Sequence, residues 1–280
     1  MFACKREARY TKPMLKLRYV LPLLILTACG DSVKEEEEAL ALKNESVAVL
    51  YNRAYDTFGE QEYKTAIEQF EEVERQHPFS PWAQQAQIMA AYAAYRGGYF
   101  DDGIAILDRF VKLYPTHAAA PYAYYLKAMS YYTQISDVGR DQKKTEEARN
   151  ALKDVVARFP DSDYARDAKL KLDLTTDHLA GKEMEIGRYY LKQRDYVAAI
   201  GRFERVIETY DTTSHTPEAL HRLVECYLAL GVIGEAKKYA AVLGHNYGSS
   251  EWYGYSYAML KGNLSPEERK STFDTFLPTL

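Results

Sequence analysis

Apolar residues recur at helical intervals along most of this chain. In the stretch from Glu62 to Pro78, Ala66, Ile67, Phe70 and Val73 fall at i, i+1, i+4 and i+7, one face of an amphipathic helix. Pro78 ends that helix, because proline neither extends a helix nor leaves the residue before it helical. A second helical segment, Leu50 to Phe58, runs ahead of it and breaks at Gly59.

A small residue at Ala54, an aromatic at Tyr63, then Ala66, Phe70 and Pro78 make the tetratricopeptide (TPR) spacing, and the rest of the chain repeats it. The second repeat holds Ala91, Tyr92 and Tyr95, a Gly97-Gly98 break, then Phe100, Gly103, Ile104, Leu107 and Phe110, ending at Pro115. Ala66 and Gly103 stand 37 positions apart, close to the roughly 34 residues of this repeat type. The third repeat runs from Pro121 to Pro160, with Ala148, Leu152 and Val155 in its second helix. Gly103 to Ala148 is 45 positions, which predicts a polar loop insertion over 136–145. The fourth repeat has a long first helix, Tyr164 to about Gln193, interrupted at Gly181, then Ala199, Ile200, Phe203 and Val206. Asp211 occupies the place of its repeat-ending proline. The fifth has Leu220, Leu223, Val224 and Tyr227, a turn at Gly231, then Ala236, Ala240 and Leu243. A last helix, about Glu251 to Leu260, is expected to cap the stack. The expected fold is therefore all-α, a TPR-like helical repeat solenoid of about five helix pairs. It spans 47–262, with amino-terminal repeats over about 47–160, carboxy-terminal repeats over about 164–262, and a tail at 263–280.

The remaining residues point to an export signal. Met14 to Arg18 is a basic opening, Tyr19 to Leu26 is a short apolar run, and Thr27 and Ala28 are small. Residues 1–28 read as a signal peptide, with 1–13 an over-long start. Leu26-Thr-Ala-Cys29 resembles the bacterial lipoprotein signal, in which the Cys29 sulfur takes a diacylglyceryl group before cleavage. Gly30, rather than an aspartate, follows the cysteine, which for such lipoproteins implies the outer membrane. Residues 29–46, with Glu35 to Glu38, form a lipidated start and acidic linker.

Composition mainly excludes. A net charge of −4 with 27% charged residues lacks the concentrated basic surface of a nucleic-acid binder. Cys226 is the one cysteine left in the repeat region and reads as a small core residue. There is no phosphate loop, nucleophile elbow or paired-cysteine motif. His77, His117, His178, His215, His221 and His245 form no pair with metal-ligand spacing, and the acids read as lying on solvated helix faces. No catalytic residue, cofactor or metal is expected. The 25 tyrosines, against 10 Phe and 2 Trp, suit packed helix pairs and also a peptide groove.

Leu50-Tyr-Asn-Arg-Ala-Tyr55, Phe70 to Ser80, Leu107-Asp-Arg-Phe110 and Pro121-Tyr-Ala-Tyr-Tyr-Leu-Lys-Ala-Met-Ser-Tyr-Tyr132, with the lipid signal, resemble the BamD (ComL) family over about 14–262. That resemblance implies a non-enzymatic lipoprotein scaffold of the machinery that folds β-barrels into the bacterial outer membrane. It implies contact with the periplasmic (POTRA) domain of BamA through the carboxy-terminal repeats, and membership with other BAM lipoproteins. It also implies a groove in the amino-terminal repeats for the carboxy-terminal signal of unfolded barrel proteins. A TPR pilotin that escorts secretins is the alternative scaffold. The first helix of each pair lines the concave surface of such a stack. Tyr51, Tyr55, Tyr92, Tyr95, Tyr125 and Tyr132 are then groove candidates, with inter-repeat packing as their other use. Arg53, Arg96 and Lys127 lie near enough in sequence to meet a carboxylate. On a helical wheel Ala199, Phe203 and Val206 form a packed stripe with Arg202 at its margin and Arg205 further out. Arg202 is the partner-docking candidate, and an internal pair with Glu183 or Glu225 is its other reading.

Overall fold

A computed structural model of the chain describes residues 46–262. The signal peptide, Cys29, the acidic linker up to residue 45 and the tail from 263 lie outside the described residues. Eleven helices and no strand occur among those described. The first repeat is α1 (Val47–Gly59) and α2 (Tyr63–Gln76), the second α3 (Pro81–Gly97) and α4 (Phe100–Leu113). The third is α5 (Ala120–Tyr132) and α6 (Lys143–Arg158), and the fourth α7 (Asp163–Lys192) and α8 (Tyr196–Thr209). The fifth is α9 (Thr216–Ala229) and α10 (Ile233–Tyr247), capped by α11 (Glu251–Lys261). Each helix packs on its neighbours in sequence, as in a TPR-like solenoid.

The register that spaces the repeats also makes the core. Ala66, Ala148, Ala199 and Ala236 are fully buried, and Gly103 is buried at the corresponding place in α4. Four residues on, Phe70, Leu107, Leu152, Phe203 and Ala240 are buried; seven on, so are Val73, Phe110, Val155, Val206 and Leu243. Small side chains let paired helices approach, and the larger ones one and two turns later fill the seam. A Cβ added at Gly103 would stand 3.2 Å from the Ala94 methyl.

Short turns join the helices within four of the five pairs. Gly98 (φ +79) and Gly231 (φ +75) supply the left-handed residue that ends α3 and α9. Gln61 (φ +67) and Arg194 (φ +63) take that conformation in the first and fourth pairs without glycine. Ser80, Ser162 and Ser250 accept backbone N–H bonds at the starts of α3, α7 and α11. Because successive helices alternate in direction, one edge of the stack carries the intra-pair turns. The opposite edge carries the start of α1 and the connections at 77–80 and 114–119.

Three expectations change in detail. The insertion occupies 133–142, because α6 already starts at Lys143. Gln142 holds the loop closed by donating to the carbonyls of Asp137, Val138 and Arg140 at 3.0–3.1 Å. Helix α7 runs unbroken through Gly181, since its 30 residues pack on α6 with one half and α8 with the other. Helix α8 ends at Thr209 without a proline because the Thr213 and Thr216 hydroxyls take the Tyr210 carbonyl at 2.8 and 3.2 Å.

The tightest seam generates a test. A Cβ at Gly187 would stand 2.5 Å from Phe203 Cε1, whereas one at Gly201 meets nothing within 4 Å. Gly187→Ala should destabilise by about 1–3 kcal/mol, and Gly201→Ala should stabilise by roughly 0.5–1 kcal/mol. Urea midpoints of the two variants against the parent chain read both signs.

Candidate functional site

The first helices of repeats one to three carry a continuous aromatic layer. Phe58 of α1 meets Tyr55 at 6.5 Å, Tyr63 at 5.7 Å and Tyr92 of α3 at 5.6 Å between ring centroids. Arg96 sits one turn after Tyr92, 5.9 Å over its ring, and donates to its hydroxyl at 3.3 Å. Tyr95 packs on Phe100 at 6.0 Å and meets the Thr133 hydroxyl at 3.4 Å. Tyr122 and Tyr125 of α5 both pack on Tyr164 of α7, at 5.5 and 5.3 Å. Burial, with the neighbouring Tyr92, Tyr95 and Tyr164, pushes the Tyr122 phenol up to about 12. The Tyr122 ring therefore stays neutral, with a wide apolar face.

At the α5–α7 end the layer is tied down by charge. Tyr125 donates to Asp167 Oδ2 at 2.5 Å, and Lys171 holds both oxygens of the same carboxylate at 2.7 Å. The Lys171 bonds, then that from Tyr125, hold Asp167 below the usual carboxylate range. Lys171 also lies 5.8 Å over the Tyr132 ring. Burial first, then the Asp167 bond, raises the Tyr125 phenol.

The predicted groove residues separate on this geometry. Tyr51 is corrected: it is 6% exposed, edge-on to Phe70 at 5.5 Å and Trp82 at 4.9 Å. It belongs to the core because its ring fills the seam between α1 and its two neighbours. Lys127 pairs with Asp108 of α4. Tyr55 is exposed, while Tyr92, Tyr95, Tyr125 and Tyr132 are half-buried within the layer. Arg53 lies on α1 one turn from Thr57, whose hydroxyl donates to its carbonyl at 3.0 Å. Phe58, Tyr122, Tyr164 and Asp167 were not anticipated as site residues. Tyr122 lies inside the quoted Pro121–Tyr132 run, but Tyr164 and Asp167 join the layer only through the packing of α7.

The carboxy-terminal repeats hold a different arrangement. Arg188 of α7 grips Glu218 of α9 with both ends of its guanidinium, at 2.9 and 2.5 Å. Arg222, 1% exposed, reaches Glu218 at 3.3 Å and Glu225 at 3.0 Å and lies 5.4 Å under the Trp252 ring. The expectation that the acids lie on solvated faces fails here, because α9 is enclosed by α8, α10 and α11. Burial opposes ionisation of Glu218, yet Arg188 and Arg222 together outweigh it and hold the carboxyl low. His221 is buried, bonded through Nδ1 to Ser256 Oγ at 2.8 Å and covered by Trp252 at 5.2 Å. Arg202 pairs with Glu183 at 3.1 Å, and Arg205 shares that carboxylate at 3.5 Å with more of its side chain in solvent. Glu225 is not its partner. Cys226 is fully buried and its thiol is pushed up to about 12 by burial. Among the described residues no group of three or more His, Cys, Asp or Glu could hold a metal ion.

Residues 43–243 match the family model described as outer membrane lipoprotein, YfiO. The outer membrane protein assembly factor BamD of Caulobacter vibrioides is 46% identical over 252 residues, 90% of this chain and 82% of that protein. The chain belongs to the BamD family. The BamD of Rickettsia prowazekii is 45% identical over 238 residues, 85% of this chain and 93% of that one. The BamD of Neisseria meningitidis serogroup B is 34% identical over 217 residues, 74% of this chain and 81% of that one. The BamD family match includes the whole aromatic layer and the Arg188–Glu218–Arg222 cluster, and stops within α10.

Burial and the Arg222 charge push His221 down to about 3 from an ordinary 6.5. Unfolding therefore takes up a proton between those values, so stability is full above pH 6.5 and falls as pH drops toward 3. From pH 6.5 to 5 this one group removes about 2 kcal/mol. His221→Gln, which can still bond Ser256, should flatten that slope; urea melts at pH 7 and pH 5 measure it.

Proposed function

We propose that this chain is a non-catalytic lipoprotein scaffold of the machinery that assembles β-barrel proteins in the outer membrane. The observation that carries the reading is 46% identity to an outer membrane protein assembly factor along 90% of the chain. The outer-membrane-lipoprotein family match supports an anchor, and Cys29, at the end of its signal-like segment, is the residue that would carry the acyl chains. Such an anchor holds the repeats on the periplasmic face of the outer membrane, where two acyl chains or more keep a protein bound. No helix among the described residues is long and apolar enough to cross a membrane.

Within that role the aromatic layer of α1, α3 and α5 receives the carboxy-terminal segment of an unfolded barrel protein. Rings with few rotatable bonds give wide contact at little ordering cost, and Arg96 on Tyr92 is placed to meet a carboxylate. Tyr55→Ala and Tyr92→Ala should each weaken binding of barrel-derived carboxy-terminal peptides roughly tenfold, about 1.4 kcal/mol. Fluorescence anisotropy with such peptides measures it, and unchanged affinity at intact helicity returns both rings to packing.

The carboxy-terminal repeats dock the periplasmic domain of the central barrel subunit, BamA. Glu183 holds Arg202 and Arg205 together on the exposed side of α8, presenting a two-guanidinium patch to an acidic partner. Arg202→Leu should weaken binding to that domain several-fold, more at low salt than at high, and Arg205→Ala less. Titration at two salt concentrations decides it; parental affinity for Arg202→Leu at both excludes Arg202 from the contact.

A further inference from the structure

We propose that the edge of the stack formed by the 77–82 turn rests on a phospholipid surface, with Phe79 and Trp82 entering the headgroup layer. Phe79 is 101% exposed, and Val49, Trp82 and Leu113 at the same edge are 49%, 36% and 56% exposed. The alternating helix directions bring these together: Val49 lies in the first turn of α1, Trp82 in the first turn of α3 and Leu113 at the end of α4. Scattered exposed apolar residues are ordinary, whereas these four lie at one edge of two consecutive repeats.

The turn is built to keep Phe79 outside. Pro78 and Pro81 bracket it, Ser80 N donates to the His77 carbonyl at 3.0 Å, and Trp82 N donates to Ser80 Oγ at 3.2 Å. Trp82 is seated against Tyr51 at 4.9 Å, so its indole has a packed side and an open side. That is the disposition of interfacial aromatic rings, apolar in body with a donor at the rim. Lys112, in the last turn of α4, adds a cation to the same edge, while Arg75 in the last turn of α2 pairs with Glu72.

Chain connectivity selects a membrane as the occupant. The described chain begins at Ser46 on this edge, and the sixteen residues 30–45 separate it from Cys29. Such a segment spans at most about 55 Å, so an anchored Cys29 tethers this edge within that reach of the bilayer. The inference rests on the lipid-anchor reading above.

The two tryptophans supply the test, since Trp252 lies in α11 against His221. The full-length lipidated chain carrying Trp252→Phe is reconstituted in vesicles of phosphatidylethanolamine and phosphatidylglycerol containing brominated lipid. Flotation then reads the anchor, and quenching of Trp82 emission reads the edge. The expected result is co-flotation with Trp82 quenched most by bromines near the headgroup. Phe79→Asp should leave flotation unchanged while lowering the inserted population of the edge roughly tenfold. A chain that floats with Trp82 unquenched overturns the proposal and leaves the anchor standing. A chain that does not float overturns the anchor and the proposal together. Release of a protein subunit from the solubilised assembly by Phe79→Asp, without any vesicle quenching, assigns the edge to a protein contact instead.

Discussion

Close approach of paired helices at one small residue per repeat is the constraint on which everything else depends. Ala66, Gly103, Ala148, Ala199 and Ala236 set it, and a larger residue at any of them would separate the pair. Helix α3 takes the idea furthest, burying Ala83, Ala86, Ala90, Ala91, Ala93 and Ala94 against its neighbours. With many seams filled by alanine, few bulky rings fit inside: Phe70, Phe110, Phe203, Tyr51 and Tyr210 are buried, and most other tyrosines lie partly or fully open.

The two halves of the stack use polar chemistry in opposite ways. In the amino-terminal half, charge lies beside half-buried rings, as Arg96 on Tyr92 and Lys171 on Tyr132 show. In the carboxy-terminal half, Arg188, Glu218, Arg222 and Glu225 are withdrawn from water and satisfy one another. A buried set of this kind is strongly damaged by loss of one member, because the others are left as uncompensated charge. The first arrangement suits a surface that accepts varied segments, the second a rigid platform for a fixed partner. Helix α7 belongs to both, and its 30 residues carry Asp167 at one end and Arg188 at the other.

Residues that act through their own helix were legible beforehand. The tetratricopeptide register, the long α7, the capping α11, the buried Cys226 and the Arg202–Glu183 alternative all follow from spacing on one helix or the next. Tyr51 and Tyr55 show where this stops. They are one turn apart on α1, yet one is 6% and the other 54% exposed. Only Trp82 and Phe70, arriving from other helices, distinguish them. Glu218 falls under the general reading of the acids as solvated, yet it is buried between Arg188 and Arg222. The enclosing helices are not visible from within its own segment.

By itself, then, the sequence determined which segments are helices, how they pair and, where a proline marks it, where a pair stops. Those outcomes depend on local periodicity, on proline and glycine, and on one small residue per seam. Tertiary structure alone decided which tyrosines reach solvent, that α9 is surrounded, and that Phe79, Trp82, Val49 and Leu113 share an edge. These depend on contacts between residues far apart in the chain, where a few degrees of helix rotation decide whether a ring is core or surface, and no local pattern records that angle.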